Sequence, residues 1–168
     1  HKKFGSNIKF FVSGGAALDP EVIKDFDLMG FTMLQGYGLT ETSPVVAVNK
    51  EDSFKFGAVG KPVSGVDVKI SQDKEILIRG DNIMKGYFND PGETKNAINS
   101  DGWFHSGDLG FIDEQGFLTI IGRKKEMIIT SGGKNIWPEI IERGLNNDCF
   151  VSQSIIIGNN RKFVSALI

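Results

Sequence analysis

Residues 8–12 form a short apolar run interrupted only by Lys9, the pattern of a buried strand. Ser13-Gly14-Gly15-Ala16-Ala17 follows as a glycine loop. Asp19-Pro20-Glu21 then supplies a helix start, with aspartate as N-cap, proline at the first helical position and an acidic residue in the first turn. Val22, Phe26 and Met29 fall on one face of that helix, and Gly30 can end it. Residues 31–34 read as the next strand. Strand, loop, helix and strand in this order predict an α/β unit with parallel strands.

The pattern changes after residue 48. Val66, Val68 and Ile70 alternate with polar residues, and Gln72-Asp73-Lys74 turns the chain into residues 75–79, which predicts a hairpin. Asp90-Pro91-Gly92-Glu93 opens a short helix running to residue 99. Residues 103–105 and 117–121 read as further strands, with Asp113-Glu114-Gln115-Gly116 as a turn. This middle part is expected to be a small antiparallel sheet or barrel. Arg123-Lys124-Lys125-Glu126 interrupts it, and a second α/β pattern follows. Residues 127–130 read as a strand, Ser131-Gly132-Gly133 as a loop and Trp137-Pro138-Glu139 as a helix start. Residues 154–157 and 161–168 suit a hairpin around Gly158-Asn159-Asn160. A domain boundary is expected at residues 123–125, between a part spanning residues 1–122 and one spanning residues 126–168.

Composition narrows the class. With 168 residues, 40% of them hydrophobic, the chain suits a globular body with a real core. Lys and Arg total 19 against 21 Asp and Glu, a net charge of -2, without the basic excess of a nucleic-acid binder. No apolar run approaches the ~20 residues of a membrane helix, and no signal peptide is visible. Cys149 is the single cysteine, so no internal disulfide can form. A cytoplasmic location is the expectation. The chain opens at His1 and closes on the apolar residues 163–168, as a piece cut from a longer protein would.

Two segments suggest chemistry. In Gln35-Gly36-Tyr37-Gly38-Leu39-Thr40-Glu41-Thr42, two glycines flank an aromatic ring and leave a face of it open for a planar ligand. A hydroxyl and a carboxylate follow, a pairing suited to Mg²⁺ on a phosphate. The same residues also suit an ordinary glycine turn. In Trp103-Phe104-His105-Ser106-Gly107-Asp108-Leu109-Gly110, the aspartate between glycines can accept both hydroxyls of a ribose, or merely shape a turn. His105 has no partner nearby in the sequence and suits packing or orienting better than catalysis. Arg123-Lys124-Lys125 reads as a solvated turn or as an arginine aimed at a nucleotide beside a hinge. Gly132-Gly133 reads as a turn or as a narrow passage where backbone meets a ligand.

Five motifs, in this order and at these spacings, change the weighing. They are Gly14-Gly15-Ala16-Ala17-Leu18, Gly36-Tyr37-Gly38-Leu39-Thr40-Glu41-Thr42, Gly102-Trp103-Phe104-His105-Ser106-Gly107-Asp108, Gly122-Arg123-Lys124-Lys125-Glu126, and Ser131-Gly132-Gly133-Lys134-Asn135-Ile136 through Pro138 and Glu142. Together they closely resemble the adenylate-forming superfamily of acyl-CoA synthetases, luciferases and peptide-synthetase adenylation domains, and most resemble its long-chain fatty acid–CoA ligases. The resemblance covers essentially the whole chain.

The resemblance implies an α/β (α+β overall) fold: the end of a large domain over residues 1–122, a hinge at 123–125, and an incomplete small domain over 126–168. It implies that Tyr37 stacks on adenine, with Gly15, Ala16, Gly36 and Gly38 around the nucleotide. Thr40 would touch phosphate, and Glu41 would hold Mg²⁺. Asp108 would bind the ribose with Arg123 beside it, Lys125 would be the hinge residue, and Gly132 and Gly133 would line the path of CoA. The implied activity is that of an AMP-forming ligase using ATP, Mg²⁺ and CoA on a fatty acid or another carboxylic acid. The family's lysine-bearing phosphate loop is expected before His1 and its catalytic lysine after Ile168, so the segment by itself is expected to be inactive. An enzyme loading a carrier-protein thiol or an amino acid, and a non-catalytic nucleotide-binding relative, stay open at this point. So do peripheral membrane association, acyl chain length and oligomeric state.

Overall fold

The computed structural model describes residues 7–16 and 18–168; Ala17 of the glycine loop and the opening residue His1 lie outside the described residues. The chain divides into two compact units, one of residues 1–106 and 110–120, the other of residues 107–109 and 121–168.

The first unit opens with β1 (Phe10–Ser13), α1 (Pro20–Leu28) and β2 (Thr32–Gly38). β1 and β2 are parallel, in register from Phe10 opposite Thr32 to Ser13 opposite Gln35. The predicted α/β unit is therefore present. The Asp19 side chain accepts a hydrogen bond from the Glu21 N–H at 2.9 Å, the capping that its sequence predicts. Two expectations need correction. The inward residue of α1 is Ile23, only 2% exposed, whereas Val22 and Met29 are 38% and 55% exposed. The helix is turned so that Phe26 meets the edge of the Phe11 ring at 5.7 Å, and Phe11 in turn meets Phe31 at 5.5 Å. Likewise β1 is not buried on both faces, since Phe10 and Val12 are 43% and 64% exposed. Alternate strand residues face opposite ways, and the Phe11 side is the one that meets α1.

Two short strands that the hydrophobic pattern did not predict, β3 (Val45–Val48) and β4 (Lys61–Pro62), follow. Both pair antiparallel, giving a mixed sheet in the order β1-β2-β3-β4. A second sheet has the order β5-β6-β7-β8, from β5 (Val66–Ile70), β6 (Glu75–Gly80), β7 (Phe104–Ile112) and β8 (Leu118–Arg123). β5 and β6 form the predicted hairpin. Between β6 and β7 lies α2 (Pro91–Ala97), its first turn capped by Asp90. The core of this unit gathers Tyr37, Val46, Ala47, Ile76, Ile78, Phe104 and Leu118. Shortening an aliphatic side chain in such a place costs about 2–5 kcal/mol.

In the second unit, β9 (Ile128–Ile129) and β10 (Asn135–Ile136) form an antiparallel hairpin. α3 (Pro138–Asn146) follows, then the predicted hairpin of β11 (Ile155–Ile157) and β12 (Ser165–Leu167). Glu142 on α3 accepts a hydrogen bond from the Ile156 N–H at 2.7 Å, which ties the helix to β11. Among the described residues, no helix is long and apolar enough to cross a membrane.

A close backbone crossing holds the loop after β3. The Asn49 side chain, 1% exposed, donates to the Ala58 carbonyl and accepts from the Lys55 N–H at 3.2 Å. Gly60 lies against Val48 and Asn49, and its carbonyl accepts from the Leu118 N–H of β8 at 2.8 Å, while the Val59 N–H donates to the Leu118 carbonyl at 2.9 Å. A Cβ on Gly60 would sit 1.9 Å from the Val48 carbonyl carbon, at a φ of +104°. Gly57, at a φ of +78°, has open space around it instead. Gly60→Ala should therefore cost about 3 kcal/mol or more, from overpacking and backbone strain together. Gly57→Ala should cost only the strain, about 1 kcal/mol. Denaturant midpoints of the two variants check this, and equal losses would refute it.

Candidate functional site

Within the first unit, the parallel pairing of β1 and β2 brings two glycine motifs to the same strand ends. In open α/β sheets, ligands bind at the carboxyl ends of parallel strands. Gly14, Gly15 and Ala16 leave β1 there, and a Cβ on Gly14 would lie 3.5 Å from the Gly36 carbonyl oxygen. Gly36, Tyr37 and Gly38 complete β2, with Tyr37 opposite Ala47 and a bulge between Tyr37 and Gly38. The Tyr37 side chain belongs to the core and is 8% exposed, so the open ring face expected from its glycine neighbours is confined to that margin. Gly38 is glycine for another reason: a Cβ there would lie 1.6 Å from the Pro44 carbonyl oxygen.

The next residues, Thr40–Thr42, make one turn of 3-10 helix. Its two threonines do different work. Thr42 is fully buried, accepts from the Leu39 N–H at 2.9 Å, and lies within bonding distance of the Leu39 and Pro44 carbonyls. It closes the turn, whereas Thr40 presents its hydroxyl at the surface. Glu41 lies between them, half-buried. Its backbone carbonyl accepts from the Met84 N–H at 2.8 Å, and its carboxylate Oε1 accepts from the Tyr87 hydroxyl at 3.0 Å. Burial, and then the hydrogen bond to Glu41, push the Tyr87 phenol above its ordinary pKa, so it is a protonated donor at neutral pH. Asn82 secures the same turn by donating to the Thr42 and Val45 carbonyls. The sequence reading missed both Tyr87 and Asn82. They lie 46 and 40 residues from their partners, and nothing local marks them.

The donor chemistry at Glu41 suits magnesium. A carboxylate has about four lone-pair sites, so one hydrogen bond leaves capacity for a cation. Magnesium is usually held by one or two carboxylates plus substrate phosphates and water. Among the described residues, no cluster of three or more His, Cys, Asp or Glu side chains is gathered. A single carboxylate beside an exposed hydroxyl thus fits an ion carried mainly by a polyphosphate.

The tryptophan motif also divides. Trp103 sits beneath two cations, Lys69 Nζ at 4.0 Å and the Arg79 guanidinium at 4.5 Å from its ring centre, and so anchors the β5–β6 hairpin. His105, which lacks a partner nearby in sequence, finds one in space: its Nδ1 lies 3.2 Å from the buried Glu75 carboxylate. That contact fits an orienting role.

In the second unit, Asp108 lies on β7 and is 5% exposed, so it shapes no turn. Arg123 ends β8 and donates through Nε to the Asp108 Oδ1 at 3.1 Å. Lys125 lies in an exposed 3-10 turn, Lys124–Glu126. Gly132 and Gly133 form the exposed tip of the β9–β10 hairpin, closed by the Gly133 N–H on the Thr130 carbonyl at 2.9 Å. They belong to a strand-to-strand turn, and the helix α3 begins only after β10.

Comparison with known proteins identifies the family. The AMP-binding enzyme family matches residues 1–88. The chain is 44% identical over 164 residues to the long-chain-fatty-acid–CoA ligase FadD15 of Mycobacterium bovis, covering 98% of this chain and 27% of that protein. It is 34% identical over 192 residues to the chloroplastic long-chain-fatty-acid–[acyl-carrier-protein] ligase AEE15 of Arabidopsis thaliana, covering all of this chain and 26% of that protein. In structure it matches the o-succinylbenzoate CoA synthetase MenE of Bacillus subtilis in complex with its acyl-adenylate intermediate. The TM-score is 0.85 at 30% identity, over 95% of this chain and 35% of that one. The chain thus spans about a quarter of the length of the curated relatives it matches. The mixed sheet, the glycine and threonine motifs and these likenesses together place the chain in the AMP-binding enzyme family.

Proposed function

We propose that the whole protein is an AMP-forming ligase that activates a fatty acid with ATP and passes it to CoA. The observation that carries this reading is the 44% identity to a long-chain-fatty-acid–CoA ligase over 98% of the chain. In the first half-reaction a carboxylate oxygen of the acid attacks the α-phosphorus of ATP. The bond to the β-phosphate oxygen breaks, giving acyl-adenylate and pyrophosphate. In the second, the thiol sulfur attacks the acyl carbon, its proton is lost, and AMP leaves with the oxygen of the mixed anhydride.

The chain's own residues take the following parts in this reading. Gly15, Ala16, Gly36 and Gly38 bring backbone close to the nucleotide, and the exposed margin of Tyr37 meets adenine. The Thr40 hydroxyl binds phosphate. Glu41 holds Mg²⁺, which when bound neutralises phosphate charge. Asp108 accepts the ribose hydroxyls, oriented by Arg123. Lys125 serves as the hinge between the domain of residues 1–122 and that of residues 126–168. Gly132 and Gly133 lie along the pantetheine arm of CoA. A carrier-protein thiol as acceptor is a second reading, favoured by the likeness to the acyl-carrier-protein ligase. Steady-state turnover of the whole enzyme with CoA against an acylatable carrier protein separates the two.

Two substitutions test the assignments. Asp108→Ala should raise the ATP concentration needed for half-maximal rate by about ten- to a hundredfold. That is the worth of one charge-assisted hydrogen bond, roughly 1.5–3 kcal/mol at ~1.4 kcal/mol per tenfold. The Arg123 side chain left behind is 57% exposed, so its loss of a partner costs about 1 kcal/mol or less in stability. An unchanged ATP saturation curve in a folded variant would reduce Asp108 to a structural residue.

The glycine pair needs a choice between positions. Gly133 has a φ of +77°, so a side chain there strains the turn wherever it points. Gly132 lies outside that region of φ, and a Cβ on it meets nothing within 4 Å. Gly132→Leu is therefore the cleaner test: the melting temperature should hold, and pyrophosphate exchange into ATP should persist. Thioester formation should fall by about tenfold or more, as an obstructed narrow passage requires. Equal loss of both half-reactions would argue against a pantetheine passage at this turn.

A further inference from the structure

The sequence motif ends at Thr42, yet the carboxylate at its centre is held by a residue far outside it. The Tyr87 hydroxyl donates to Glu41 Oε1 at 3.0 Å. Tyr87 is itself fixed. Its backbone N–H donates to Thr94 Oγ1 at 2.9 Å, and the Thr94 hydroxyl donates to the Asp90 carbonyl at 2.8 Å. Asp90 is the residue that caps α2, accepting from the Glu93 N–H at 2.9 Å. Gly86 presses on the same threonine, with a Cβ there only 2.7 Å from Thr94 Cγ2. The Glu41 backbone is pinned separately, by the Met84 N–H at 2.8 Å. The loop between β6 and α2 therefore holds both the main chain and the side chain of Glu41.

A glutamate side chain has three rotatable torsions, and a partly exposed one samples several rotamers unless something fixes it. Ion-binding carboxylates are oriented by outer hydrogen bonds, and losing such a partner weakens metal affinity. The geometry points to Tyr87 as a positioning residue that orients the Glu41 carboxylate for the metal ion of the bound nucleotide. This rests on the reading of Glu41 as the magnesium carboxylate. It extends that reading by a residue from another segment, and makes the α2 cap part of the metal site's support. Tyr87 touches no reacting atom; it acts through Glu41.

The test uses the whole enzyme and a non-hydrolysable ATP analogue, with binding followed by calorimetry in magnesium and in EDTA. Three proteins are compared with wild type: Tyr87→Phe, Glu41→Gln and the double variant. Tyr87→Phe should weaken binding of the magnesium-loaded analogue by about three- to tenfold, the order of one partly exposed hydrogen bond to a charged group. Metal-free binding should be unchanged, and Tyr87→Phe should add nothing in the Glu41→Gln background. A merely structural role for Tyr87 would weaken both forms alike or add fully to Glu41→Gln, and either result overturns the proposal. If Glu41→Gln itself shows no magnesium-dependent loss, the reading of Glu41 fails and the proposal with it. Should Tyr87→Phe not fold, Thr94→Val removes the hydroxyl beneath the Tyr87 backbone and is judged the same way. Selective loss of the magnesium-loaded complex supports the proposal, and equal loss of both complexes overturns it.

Discussion

The first unit depends on the burial of one short strand. Val46 and Ala47 on β3 are both 0% exposed, and they pack with Ile76, Ile78 and Leu118, which belong to the other sheet. That contact places β2 through its pairing with β3, and β4 through the other edge of β3. Tyr37 lies opposite Ala47, so the residue expected to meet adenine is fixed by a core strand. The bulge after Tyr37 then lets the chain leave the sheet and turn at Thr40–Thr42.

This arrangement explains why a single motif holds residues of unlike purpose. Gly38 and Thr42 make the turn possible, one by yielding space to the Pro44 carbonyl and the other by bonding the turn from inside. Thr40 and Glu41 are what the turn presents. A short motif of this kind records backbone needs and chemical needs together, and only contacts separate them. The tryptophan motif behaves similarly: Trp103 is held by Lys69 and Arg79, and His105 by Glu75, while Asp108 is buried beside Arg123.

The carboxylates of the two motifs share a design rule. A carboxylate that must receive a ligand benefits from one fixed partner, because an oriented acceptor loses less conformational entropy on binding. Glu41 has Tyr87 and Asp108 has Arg123. On the proposed reading, the neutral partner leaves the full negative charge of Glu41 for a cation, and the cationic partner suits Asp108 to accept neutral hydroxyls.

Local pattern by itself determined the α/β unit, the Asp19 and Asp90 caps, the β5–β6 and β11–β12 hairpins and the order of the five motifs. Each of these rests on interactions among residues close in the chain, where spacing translates directly into geometry. The family, too, was legible from motif order. The face of α1 was not: Phe26 packs on the rings of Phe11 and Phe31, and Ile23 is buried while Val22 and Met29 are exposed. β3 and β4 escaped notice because strands of four and two residues carry too little alternation to stand out. The burial of Tyr37, the pairing of His105 with Glu75 and the hold of Tyr87 on Glu41 were decided by tertiary structure alone. None of these contacts is marked by local spacing: Glu75 and His105 meet because β6 and β7 are neighbours in one sheet, and Tyr87 reaches Glu41 across 46 residues of chain.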